Sequence, residues 1–203
     1  MGSVNNLSDA RFAAGFDMDF IGFCLAPDDE RRIPPDDVKE ISEWLEGPSF
    51  VAELNLAAPS EINEMLGNLN SQWVQIEQGY HHNLSEINGK IFQNIRLNSF
   101  DPQDAGVKEM EKNMREVEYF IIEPGTEIDG EKVLQDEQKL NFLTELCASY
   151  NVFLDLPFTY KNVHELLEKI RPAGINIKGA DEVKPGYRDF DELIDLLEAL
   201  EQD

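Results

Sequence analysis

The stretch Asn5–Arg31, NNLSDARFAAGFDMDFIGFCLAPDDER, reads as one complete helix, turn and buried strand followed by a loop. Asn6 is the N-cap, Asp9 sits in the first turn, Leu7, Ala10 and Ala14 share a face, and Gly15 supplies the stop. Residues 20–26 (FIGFCLA) are almost wholly apolar, as a strand covered on both faces must be. This is a single α/β unit, and the rest of the chain repeats it.

Working outward, a helix is predicted over 35–46, with Val38, Ile41 and Leu45 inward and Gly47-Pro48 at its end. Strands are predicted over 50–57, 73–78, 90–97, 118–124, 151–156 and 174–178. Helices fall between them over 59–66, 101–116, 132–150 and 161–170, and a last one over 189–199, with a short helical or irregular piece near Ser85. Alternation with short connections means a parallel α/β sheet, doubly wound or closed into a barrel. Periodicity alone leaves both open.

A length of 203 residues with 41% hydrophobic side chains suffices for one sizeable core and suits a single domain spanning 1–203. No apolar run approaches the ~18 residues of a membrane span and no secretory leader opens the chain, so a soluble cytoplasmic protein is expected. Cys24 lies in a strand and Cys147 on a helix face, without metal-ligand spacing, and both are expected to be buried and reduced. The net charge of −24 argues against nucleic acid or an anionic membrane as partner. Most of the acids lie on polar helix faces, as in EISEWLE and EKNMREVE, where they are solvated.

Leu7, Asp9 and Ala10, then Asp19–Pro27 (DFIGF-x-x-A-P), Arg31 and Pro34-Pro35, resemble the opening of phosphoribosylanthranilate isomerase, the (β/α)8-barrel enzyme of tryptophan biosynthesis. The resemblance extends through Val74–Gly79 (VQIEQG) to Pro185-Gly186-Tyr187-Arg188-Asp189. It implies a TIM-type (β/α)8 barrel whose first strand is truncated or missing. The family's first strand ends in Lys-Ile-Cys-Gly with the Cys as catalytic base, and here Gly2 stands in that place. Residues 2–5 would form a very short strand, or repacking or a second subunit in a homodimer would fill the gap.

In such barrels the active site lies at the C-terminal strand ends. The resemblance assigns Arg31 to a substrate carboxylate, although Arg31 and Arg32 also offset Asp28, Asp29 and Glu30. Glu77 stands for a family His, and Glu123 stands for the general acid Asp. In the phosphate turns, Asp155-Leu156-Pro157-Phe158 replaces Ser-Gly-Gly-Leu; further on, Lys178 and Gly179 could hold an anion. Glu53, if it faces inward, needs a partner such as Arg96 or Lys178 and joins Glu77, Glu123 and Asp155 as an acidic mouth. The adjacent side chains of His81-His82 should point different ways in a solvated turn, and His164 should lie on the surface.

These substitutions imply an isomerase-like barrel whose Amadori isomerisation is lost or changed, with a small-molecule ligand at the mouth and no cofactor or metal. Two alternatives stand beside it. One is an active isomerase with substituted groups, whose true first strand lies upstream of Met1; the other is a binding barrel for a cation or an amine-bearing ligand.

Overall fold

The computed structural model describes residues 1–125, 128–178, 182–184, 187–188 and 190–201. They fall into two compact units. The first holds Met1–Asn94, Lys112–Glu118 and a short stretch from Ile177; the second holds Ile95–Glu111, Tyr119–Asn176 and the C-terminal residues.

In the first unit the order is α1 (Leu7–Gly15), β1 (Phe20–Cys24), α2 (Pro35–Ser42), β2 (Ser49–Asn55), α3 (Pro59–Leu69), β3 (Trp73–Ile76), a 3-10 turn (Leu84–Glu86) and the start of β4 (Lys90–Leu97). Asn6 caps α1 as read from the sequence, its side chain accepting from the Asp9 N–H at 2.9 Å. All neighbouring strands run parallel, and the register sets Cys24 of β1 beside Glu53 of β2. Ile21, Phe23, Ile62, Ile76 and Ile91 are essentially withdrawn from water. Each contributes about 2 kcal/mol of transfer free energy. Phe20, Trp73 and Phe92 pack edge-on or tilted with centroids 4.9–5.1 Å apart. This aromatic cluster fills the N-terminal side of the unit and leaves the C-terminal strand ends for polar groups.

The second unit continues with α4 (Ala105–Asn113, its last residues in the first unit), β5 (Tyr119–Pro124), α5 (Gly130–Gln135), α6 (Glu137–Ser149), β6 (Val152–Leu154), α7 (Val163–Ile170), β7 (Gly174–Ile175), an antiparallel pair β8 (Glu182–Lys184) and β9 (Tyr187–Arg188), and α8 (Asp191–Leu200). β5, β6 and β7 pair in parallel. Ile95, Leu97, Met110, Ile122, Leu143 and Leu154 form its buried set. The predicted helix 132–150 is two helices, because Asp136 ends α5 and its carboxylate caps α6 by accepting from the Gln138 and Lys139 N–H groups. The β8–β9 pair was not anticipated; of the Pro-Gly motif before the last helix, 185, 186 and 189 lie outside the described residues.

Residues 1–4 form no regular strand, and lie alongside the sheet through two isolated bridges. Gly2 bridges Lys178 and Val4 bridges Phe23, both in parallel sense. The Gly2 N–H donates to Ile177 O at 2.9 Å, the Val4 N–H donates to Gly22 O at 2.8 Å, and the Gly22 N–H donates to Met1 O at 2.8 Å. Among the described residues, no helix is long and apolar enough to cross a membrane.

Candidate functional site

At the C-terminal ends of β1 and β2, five residues form a hydrogen-bonded chain. Glu53, 4% exposed, accepts from the Ser3 N–H at 2.7 Å and from the Ser3 hydroxyl at 3.2 Å. The same hydroxyl accepts from Arg31 Nη1 at 3.1 Å. Arg31 then closes on Asp29, donating from Nε at 3.0 Å, from Nη2 at 2.8 Å and from its backbone N–H at 2.9 Å. The Cys24 thiol meets the same carboxylate.

Parallel register brings this chain together, since Glu53 lies beside Cys24 and the loop after β1 returns Asp29 and Arg31 over that strand end. Gly22 is essential to it, because a Cβ there would sit 2.2 Å from Glu53 Oε1. Burial pushes the Glu53 carboxyl above the ordinary Glu range, against the opposing pull of the two Ser3 hydrogen bonds and the Arg31 charge. The Arg31 hydrogen bonds hold Asp29 well below the usual carboxylate range, and Asp29 in turn raises Arg31. Burial, with Glu53 and Asp29 nearby, pushes the Cys24 thiol up to about 12, so it stays protonated at neutral pH.

Glu53 therefore faces inward, but its partner is Ser3 rather than Arg96 or Lys178. Arg96 instead donates to Glu123 Oε2 from Nη2 at 3.1 Å and Nε at 3.3 Å. Glu77 accepts from Asn94 Nδ2 at 3.3 Å on both oxygens. Asp155 accepts from Asn176 Nδ2 at 2.9 Å. Each acid assigned to the mouth thus has an uncharged or cationic donor of its own. Lys178 is exposed and joins Gly2 through its backbone, while Gly179 lies outside the described residues.

Sequence reasoning missed Ser3, Asn94 and Asn176, which hold the named acids. Ser3 takes a left-handed φ of 56°, which nothing in its residue type announces. The His81 and His82 rings do not point apart, for their centroids lie 4.1 Å from each other with the planes tilted by 36°. His164 is exposed as expected, Cys24 is buried, and Cys147 is only half-buried. Among the described residues no group of three His, Cys, Asp or Glu side chains is placed to hold a metal ion.

The turn after β6 is occupied by its own hydrogen bonds. The Asp155 N–H donates to Ile122 O at 2.9 Å, the Phe158 N–H donates to Leu156 O at 2.8 Å, Pro157 has no N–H, and the Leu156 side chain is buried.

No family model matches the chain. A search of curated proteins finds the N-(5'-phosphoribosyl)anthranilate isomerase of Thermotoga maritima, 23% identical over 202 residues that cover 94% of this chain and 91% of that protein. The isomerase of a Sulfurihydrogenibium species is 24% identical over 190 residues, covering 92% and 90%. Among solved structures, the Thermotoga maritima enzyme superposes with a TM-score of 0.75 at 18% identity, covering 99% of this chain and 97% of that one. The chain resembles the phosphoribosylanthranilate isomerases over nearly its whole length. Its fold is their TIM-type (β/α) fold. Another isomerase structure, with a TM-score of 0.72 at 18% identity, holds reduced 1-(o-carboxyphenylamino)-1-deoxyribulose 5-phosphate, and it covers 96% of that chain and 98% of this one.

Proposed function

We propose that this chain keeps the phosphoribosylanthranilate isomerase fold without the isomerisation, and binds a small molecule at its C-terminal strand ends. The observation that carries this reading is the closure of Arg31 on Asp29. The ligand of the solved isomerase bears a carboxyl group and a phosphate. A guanidinium that gives Nε and Nη2 to an internal carboxylate has spent its bidentate edge, and the ionised Asp29 repels a second carboxylate.

The reaction class adds to this. Amadori isomerisation opens the ribose ring with an acid and removes the C2′ proton with a base, and Gly2 in the base position offers no side chain. Loss of a positioned base costs roughly two to four decades in rate. A carboxyl acid at Glu123, held by Arg96, favours the competing reading of an active isomerase with substituted groups.

Purified protein given phosphoribosylanthranilate should show no turnover above the uncatalysed background, and the gene should fail to rescue a tryptophan auxotroph lacking the isomerase. Robust rescue would sink the proposal.

A further inference from the structure

Glu53 occupies a position where an apolar side chain would bury at no electrostatic cost, yet it is a carboxyl group 4% exposed. Both of its hydrogen-bond donors belong to one residue, Ser3. Ser3 holds a left-handed φ of 56°, a conformation that persists in a non-glycine residue only when its surroundings enforce it. The segment it belongs to is short. Four hydrogen bonds, donated by the Met1 amino group to Phe20 O at 2.8 Å and by the Gly2, Val4 and Gly22 N–H groups, together with the buried Met1 and Val4 side chains, attach residues 1–4 to β1 and Ile177. A segment of four residues opens at a free energy below that of global unfolding.

We propose that residues 1–4 form a strap latched by Glu53, closed while the carboxyl holds Ser3 and released when the strap lifts, which also frees the Nη1 edge of Arg31. The coupling is reciprocal. The closed strap is what satisfies the buried Glu53, and an open strap lets water do so instead.

The latch responds to pH. Burial raises the Glu53 carboxyl in the closed form, whereas an open strap returns it towards its ordinary value, so proton uptake favours closing and rising pH favours opening. The other ionisable groups around Glu53 are Arg31, Cys24 and the Met1 amino group. Arg31 stays charged, and Cys24, pushed up to about 12, stays neutral. The Met1 amino group, pushed down to about 6 chiefly by burial, acts in the opposite sense. Glu53→Gln is therefore the control, since it removes one titration and keeps the other.

The test is amide hydrogen exchange on the full chain between pH 5 and 8, corrected for intrinsic rates, at Gly2, Val4 and Gly22, with Asp155 as reference. Protection at the three strap amides in the wild type, taken relative to Glu53→Gln, should fall about tenfold across the range while Asp155 does not change. A flat ratio would overturn the proposal. Should Glu53→Gln fail to fold, Ser3→Ala serves, because it removes the hydroxyl and leaves the Ser3 N–H. It should lower strap protection about tenfold without touching Asp155, and unchanged strap protection would overturn the latch equally.

Discussion

Gly22 and Glu53 require one another. With a Cβ placed 2.2 Å from Oε1, 3.1 Å from the carboxyl carbon and 3.4 Å from Cγ, an alanine at 22 must displace a side chain that is buried and tied to Ser3. No flexible tip can swing into water here, so the strain falls on the Glu53–Ser3 contact or on the register of β1 against β2. Gly22→Ala should destabilise the protein by about 1–3 kcal/mol, read from urea unfolding. The double change Gly22→Ala with Glu53→Ala should be milder than the sum of the two single changes, because the second removes the atoms the first collides with. Strict additivity would show that the methyl group clashes elsewhere.

At the scale of elements, Asp104 explains where α4 begins. Its Oδ2 accepts from the N–H groups of Asn98 and Ser99 at 3.1 and 3.0 Å and from the Ser99 hydroxyl at 3.0 Å, and its Oδ1 accepts from the Gly106 N–H at 2.9 Å. One carboxylate thus binds the end of β4 to the start of the helix. The helix predicted over 101–116 begins only at Ala105, and nothing local in the sequence distinguishes Asp101 from Asp104 as its cap. Asp104→Ala should cost about 2 kcal/mol in denaturant unfolding, while Asp101→Ala costs a few tenths. Equal effects would contradict the assignment.

The same contrast runs through the rest of the chain. Apolar periodicity located the parallel strands, whose cores (Ile21 and Phe23, Ile122, Leu154) announce themselves as buried runs. Boundaries set by one capping side chain, as at Asp136, are read only when the cap is weighed above the period. Partners brought together by register are harder still. Ser3 and Glu53 are 50 residues apart, and no spacing rule joins them. The acids of the site were legible as acids, while their donors were a serine in the opening segment, Ser3, and two asparagines inside predicted strands, Asn94 and Asn176, where no pattern marks a polar residue as a partner.

At the scale of the molecule, a whole-length likeness of 23–24% to isomerases carries the fold, whereas chemistry resides in a few strand-end groups. The phosphate turn separates the two most sharply. Backbone N–H groups that bind a phosphate must point outward and be uncommitted, and a helix N-terminus or glycine-rich turn provides them. In 155–158 the Asp155 and Phe158 N–H groups are spent on Ile122 O and Leu156 O, and Pro157 has none. Asp155 adds a carboxylate, held in place by Asn176. Two obstacles are therefore present, charge and a shortage of uncommitted donors, and they can be separated. Calorimetric titration with inorganic phosphate should give no saturable heat for the wild-type protein. Asp155→Asn removes the charge and leaves every backbone hydrogen bond in place, so it too should bind no phosphate. If Asp155→Asn binds at millimolar phosphate or tighter, repulsion alone was the barrier, and the committed backbone of this turn is not what closes it to the dianion.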